Sequence, residues 1–254
     1  MSWPDFPLAF YPVAVLAILI TGIAKGGFGA GSGGLAVPIM SIFIAPPEAA
    51  GIMLPILCAM DLFGVHAYRG RWSPAHLKIM LPGALVGIGL GAIAFGALPV
   101  NGIRLLLGVI AVTFALNQWF RITERLVAQM AKPGAVAGAF WGAASGFTST
   151  LAHAGGPPFA VYMLPQKLDK TVLVATSVVF FLIVNYVKLV PYYFLGQLNT
   201  GNLAAALLFA PLAPLGIWLG VWMHRAVSER AFYQVSYALL FATGAKLIWD
   251  AVAG

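Results

Sequence analysis

The sequence is poor in charge. Of its 254 residues only 8% are Asp, Glu, Lys or Arg, and seven of those are acidic; a soluble domain carries about a quarter. With 61% apolar residues the chain has too little polar surface to face water on all sides, which excludes a soluble enzyme or binding module. Cys58 is the sole cysteine, excluding an internal disulfide, a CxxC redox pair and a cysteine-built metal site. HExxH is absent, "GAASG" and "AGSGG" each miss GxSxG at one position, and no carboxylates pair at helical spacing. No catalytic residue, metal or cofactor is therefore expected. No Lys or Arg precedes the first apolar segment, whose run of roughly 17 residues exceeds a secretory h-region, so that segment is expected to persist as a spanning or re-entrant helix.

Long apolar stretches are what the chain has instead. Crossing the hydrocarbon core takes about 20 residues, and the segments predict helices at 7–27, 48–69, 75–97, 101–120, 134–150, 170–195, 201–223 and 229–250. Two apolar pieces, 35–45 and 157–165, are too short to span, and each follows a glycine-rich break: "KGGFGAGSGGLAVP" or "GFTSTLAHAGGPPFAVYMLP". Gly33 and Gly34 fall on Gly155 and Gly156 at an offset of 122, Asp61 on Asn185 at 124, and "GIGLG" on "GIWLG" at 129. An internal duplication explains these offsets. The expected organisation is a first transmembrane repeat over 1–121, a cytoplasmic linker over 122–133 and a second repeat over 134–254.

The net charge of +7 invites a nucleic-acid reading, but the basic residues serve topology better. Arg69, Arg71 and Lys78 share one loop, Arg121, Arg125 and Lys132 another, Lys167 and Lys170 a third, and Arg225 and Arg230 a fourth. These loops are expected in the cytoplasm, while "APPEAA", "GALPVNG" and "GQLNTG", without basic residues, face out. Both termini then lie outside, and each half crosses an odd number of times. The expected fold is all-α: two inverted repeats, each a broken or re-entrant helix plus three transmembrane helices, about eight spanning helices with two short half-helices. Paired broken helices in inverted repeats are a layout of secondary transporters.

Four basic residues stand outside these loops: Lys25, Arg104, Lys188 and Lys246. Arg104 and Lys246 lie near outer helix ends and can snorkel, whereas Lys25 and Lys188 lie in or beside apolar segments. Lys25 can turn toward a bound anion or reach the cytoplasmic interface. Asp61, deep in its helix, is a proton-coupling carboxyl, the counter-ion of Lys25 or Lys188, or a hydrogen-bonded structural acid; its counterpart Asn185 shares the coupling position. A half-helix after a glycine break aims unpaired N–H groups into the cavity, a geometry that suits an anion. The lining set is Lys25, Gly29, Gly31, Ser32, Gly33, Gly34, Ser149, Thr150, His153, Gly155, Gly156 and Lys188. Ser32, Thr148, Ser149 and Thr150 can donate to an oxyanion or bond back to their own helices, and His153 can line the site or pack. "GALVG", "GIGLG" and "GIWLG" read as close-packing faces. Gly29, Gly31 and Gly34 match GxGxxG, but no strand precedes them, so a dinucleotide site is rejected.

The paired motifs "GGFGAGSGGLAVPIM" and "SGFTSTLAHAGGPPFAVYML" resemble those of the TauE/SafE family of sulfite exporters and sulfonate permeases, over essentially the whole chain. The family motif falls on Gly26, Gly27, Gly29, Gly33, Gly34 and Pro38, and on Gly146, Gly155, Gly156 and Pro157, with a departure at "LAH" and the double proline. The resemblance implies secondary transport of a small sulfur oxyanion such as sulfite, a sulfonate or sulfoacetate across the bacterial cytoplasmic membrane. Partners implied are the anionic substrate, the lipid bilayer and a coupling proton, with no nucleic acid. A passive anion channel, or a carrier of another small organic anion such as a carboxylate, is the rival reading.

Overall fold

The structure, a computed structural model, describes residues 6–28, 34–120, 134–226 and 229–253, with Ile122 and Arg125. Among them no strand occurs. Helix α1 (Phe10–Ile23) runs into a π-helical turn (Ala24–Phe28), and after the first break comes α2 (Ala36–Met40). Then follow α3 (Pro46–Ala67), α4 (Pro74–Ala97) and α5 (Val100–Phe120). The later part comprises α6 (Ala135–Ala152), α7 (Gly156–Met163) with a 3₁₀ turn (Leu164–Gln166), α8 (Lys170–Phe194), α9 (Thr200–Phe209), α10 (Leu212–Ala226) and α11 (Glu229–Ala253).

Local chemistry sets these boundaries. Proline in the first turn of α3, α4 and α7 supplies a preset φ where no amide partner is needed. Asp169 caps α8 by accepting from Thr171 N at 2.8 Å, and Asn199 caps α9 by accepting from Asn202 N at 2.9 Å.

Five of the anticipated spans are long and apolar enough to cross a membrane: 10–27, α3, α4, 100–117 and α8. A sixth arises if α9 and α10 make one span. The single helix expected over 201–223 is in fact that pair, bent by 44° at Ala210 and Pro211. Helix α6, rich in Gly, Ser and Thr, and α11 fall outside this set. Large apolar side chains such as Leu8, Val136 and Phe194 are exposed, as a lipid-facing surface requires.

Four packings organise the bundle: α4 on α6, α10 on α1 with its π turn, α3 on α8, and α5 on α11. Glycine makes the first two. A Cβ at Gly22 would lie 2.8 Å from Gly216 Cα, one at Gly91 2.8 Å from Thr150 Cβ, and one at Gly87 2.9 Å from Phe147 N. The close-packing reading of "GALVG", "GIGLG" and "GIWLG" agrees with this geometry. Gly26 and Gly27, at the start of the first glycine-rich break, belong to the same class: each lies with its backbone against α10, a Cβ at Gly26 falling 2.6 Å from Ile217 O. Gly146 packs likewise on the backbone of Ala84.

Candidate functional site

The site is built from two long helices and two broken ones. On α8, Asn185, Lys188 and Tyr192 are three and four residues apart, which places them on one face. Asp61 and Gly64 on α3, with Tyr68 just past its end, have the same spacing. The two faces meet, with Asn185 Nδ2 donating to Asp61 Oδ2 at 2.7 Å. Two positions 124 residues apart thus touch each other.

Asp61 is fully buried, and its second oxygen, Oδ1, pairs with Lys25 Nζ at 2.6 Å. Lys25 therefore turns neither to the cytoplasmic interface nor into open space; it neutralises Asp61 from the π turn, a helix irregularity frequent at functional positions. Arg104 and Lys246 behave as helix-end cations, the first on Asn101 Oδ1 at 3.0 Å and the second on Asp250 at 2.6 Å.

Lys188 is also completely buried, and its partners differ in kind. Its Nζ lies 2.9 Å from Ser149 O, 2.9 Å from Ser149 Oγ and 2.7 Å from His153 Nδ1. His153 Nε2 lies 3.0 Å from Ala50 O, which can only accept, so Nε2 carries the ring hydrogen and Nδ1 of the neutral imidazole accepts from Lys188. Three neutral acceptors thus hold the ammonium, and no carboxylate among the described residues touches it. An ammonium buried at membrane depth with no carboxylate beside it is costly enough to call for a function.

His153 ends α6 in the left-handed region, at φ 52°, uncommon for a residue with a Cβ. Its bonds to Lys188 and Ala50, with its ring stacked 5.9 Å from that of Tyr192, hold it there. The hydroxyls divide in use. Ser149 Oγ is on Lys188, whereas Thr148 and Thr150 bond back to Ala144 O and Gly146 O on their own helix. Gly155 O accepts from Ser145 Oγ at 2.6 Å, Gly156 begins α7, and Gly34 meets Ala154 closely enough that a Cβ would lie 2.9 Å from its Cβ. The two breaks are therefore in contact. Gly29, Gly31, Ser32 and Gly33 lie outside the described residues. No cluster of three or more His, Cys, Asp or Glu is arranged to hold a metal among the described residues.

The tyrosines escaped the sequence reading. Tyr68 Oη donates to Gly26 O at 2.7 Å, and Tyr192 Oη donates to Thr150 O at 2.7 Å. Tyr68 and Tyr192 are 124 residues apart, as are Gly26 and Thr150. Extending the Asp61–Asn185 offset along the chain would have found both. Tyr68 fastens the π turn to the end of α3, and Tyr192 fastens the end of α6 to α8. Tyr68→Phe and Tyr192→Phe are each expected to lose about 1 kcal/mol, since each orphans a buried carbonyl. Equal falls in thermal stability in detergent would support equivalent roles, while an effect confined to one variant would refute them.

Sequence comparison adds an independent line. A family model described as "Sulfite exporter TauE/SafE" matches residues 14–247. No curated protein and no solved structure matches the chain.

Proposed function

From the premise that the chain belongs to the TauE/SafE sulfite exporter family, whose members are membrane transporters, we propose that it carries a small sulfur oxyanion across the bacterial cytoplasmic membrane by alternating access. The observation that carries this reading is Lys188, a buried ammonium held by neutral acceptors and with no carboxylate in contact among the described residues. Sulfite or a sulfonate supplies that charge and offers several oxygens to the ammonium and the Ser149 hydroxyl.

Two inverted repeats are the frame we assign to this motion. In support, the offset that equates α1 with α6 and α4 with α10 also exchanges two of the four main packings, α4 on α6 for α10 on α1. The other two, α3 on α8 and α5 on α11, join equated helices to each other. A chain folded about a pseudo-two-fold axis packs in this way. The loop charges put the axis in the membrane plane and both termini outside, with the repeats at 1–121 and 134–254. Asp61 with Asn185 is the coupling position in this scheme, because a proton on Asp61 releases Lys25 from its partner.

In proteoliposomes the parent is expected to accumulate sulfite against its gradient when a proton gradient is imposed. Lys188→Met is expected to lower that uptake by roughly 100-fold, the scale of one uncompensated charge at membrane depth. Uptake that only equilibrates sulfite would identify a channel instead. Unchanged uptake by folded Lys188→Met would remove Lys188 from the site.

A further inference from the structure

Charge counting across the buried core deepens this reading, and the step rests on Lys188 marking the anion site. The buried ionisable side chains around the two contacting long helices are Lys25 on the π turn, Asp61 and Cys58 on α3, His153 at the end of α6, and Lys188 and Tyr192 on α8. Tyr68, just past α3, and Tyr162 on α7 complete the set among the described residues. The undescribed residues 29–33 are Gly, Ala, Gly, Ser and Gly, which add no charge. Thiol and phenols are neutral in their ordinary forms, and His153 is neutral because its Nδ1 accepts from Lys188 while Nε2 donates to Ala50 O. Lys25 and Asp61 cancel at 2.6 Å. Among the described residues Lys188 alone remains.

We propose that the core therefore takes one net negative charge at a time, so that a monoanion binds directly and a dianion binds only together with a proton on Asp61. The two modes have the same charge balance. Monoanion with Asp61 ionised gives +1 and −1, while dianion with Asp61 protonated gives +2 from the two lysines and −2 from the ligand. Either sum is neutral, and a dianion beside ionised Asp61 leaves one negative charge uncompensated in a dry site. The chemical class favoured at neutral pH is accordingly R–SO₃⁻ or hydrogen sulfite. Sulfoacetate, sulfate and fully ionised sulfite become proton-linked ligands. Asp61 is the position at which this link forms because its two oxygens are held by one cation and one amide, so its protonation changes the balance by a full charge without removing Lys188 from its acceptors.

Binding to the purified full-length protein in lipid nanodiscs, measured by calorimetry from pH 6 to 8, tests the rule with methanesulfonate, sulfate and sulfite as probes. Methanesulfonate is expected to bind with a Kd independent of pH. The Kd for sulfate is expected to rise about tenfold per pH unit, as one linked proton requires, and that for sulfite to rise in the same way once hydrogen sulfite has ionised. In Asp61→Asn, whose core carries two lysines and no acid, sulfate binding is expected to become flat with pH and tighter than in the parent. Sulfate binding that is flat with pH in the parent overturns the charge rule, whatever the variant does. If instead none of the three anions binds, or all bind Lys188→Met as well as they bind the parent, the anion site itself is refuted along with the rule.

Discussion

Lys25→Met is expected to destabilise the protein by about 3–5 kcal/mol, because it strands a carboxylate that has no access to water. Asp61 is completely buried, and with Lys25 gone only the Asn185 amide would still answer its charge. Asp61→Asn is expected to cost less, about 1–3 kcal/mol: the new amide oxygen can still accept from Lys25, whose long side chain is 10% exposed and able to shift toward water. The double variant, Lys25→Met with Asp61→Asn, is expected to recover most of the loss of the lysine variant, since it leaves no unpaired charge behind. Unfolding in mixed micelles, read as a double-mutant cycle, checks this. Losses that simply add would show that Lys25 and Asp61 do not depend on each other, contrary to their 2.6 Å contact.

The charged part of the site was legible because charge is rare in this chain. Once the loops account for ten of the fourteen basic residues, Lys25 and Lys188 stand out, and the offset of 124 aligns Asp61 with Asn185. Partner choice was not legible: sequence allowed Asp61 to serve either lysine, and only the packing of the π turn beside α3 puts it on Lys25. Tyr68 and Tyr192 were hidden for a different reason. Tyrosine is common near membrane interfaces, so nothing in its type signals a bond to a carbonyl in a helix break. A glycine in a break and a glycine in a helix contact look alike in sequence, and the π turn lets Gly26 and Gly27 do the second while adjoining the first.

Helix limits came through within a few residues, except where 201–223 divides. Proline did not reveal the division. Pro55, Pro82 and Pro191 all sit inside continuous helices, whereas Pro211 marks a bend. In a packed membrane bundle neighbouring groups can satisfy the carbonyl that a proline frees, so the residue alone does not decide between a continuous helix and a break.

Valine at Gly87 is expected to separate α4 from α6 and cost about 3 kcal/mol or more, at the upper end of overpacking effects. The new Cβ would lie 2.8 Å from the carbonyl carbon of Ala143 and 2.9 Å from Phe147 N, and backbone atoms cannot rotate away as a side-chain tip can. Gly22→Val is expected to do the same to α1 and α10, where Gly216 Cα stands 2.8 Å away. The contrast that gives the test its force is Gly89, on the same helix as Gly87 and flanked by the same kinds of residue. Nothing lies within 4 Å of its added Cβ, and it lines a shallow apolar groove of about 610 Å³ between α4 and α8. Gly89→Ala should be neutral or stabilise by up to about 1 kcal/mol through helix propensity. Thermal stability in detergent separates the cases. Equal losses at Gly87 and Gly89 would mean that glycine serves α4 through flexibility rather than contact. A loss at Gly87 that also lowers sulfite uptake in the surviving folded fraction would carry the effect further, because α6 bears Ser149 and ends at His153, and any shift of that helix moves all three acceptor groups that hold Lys188.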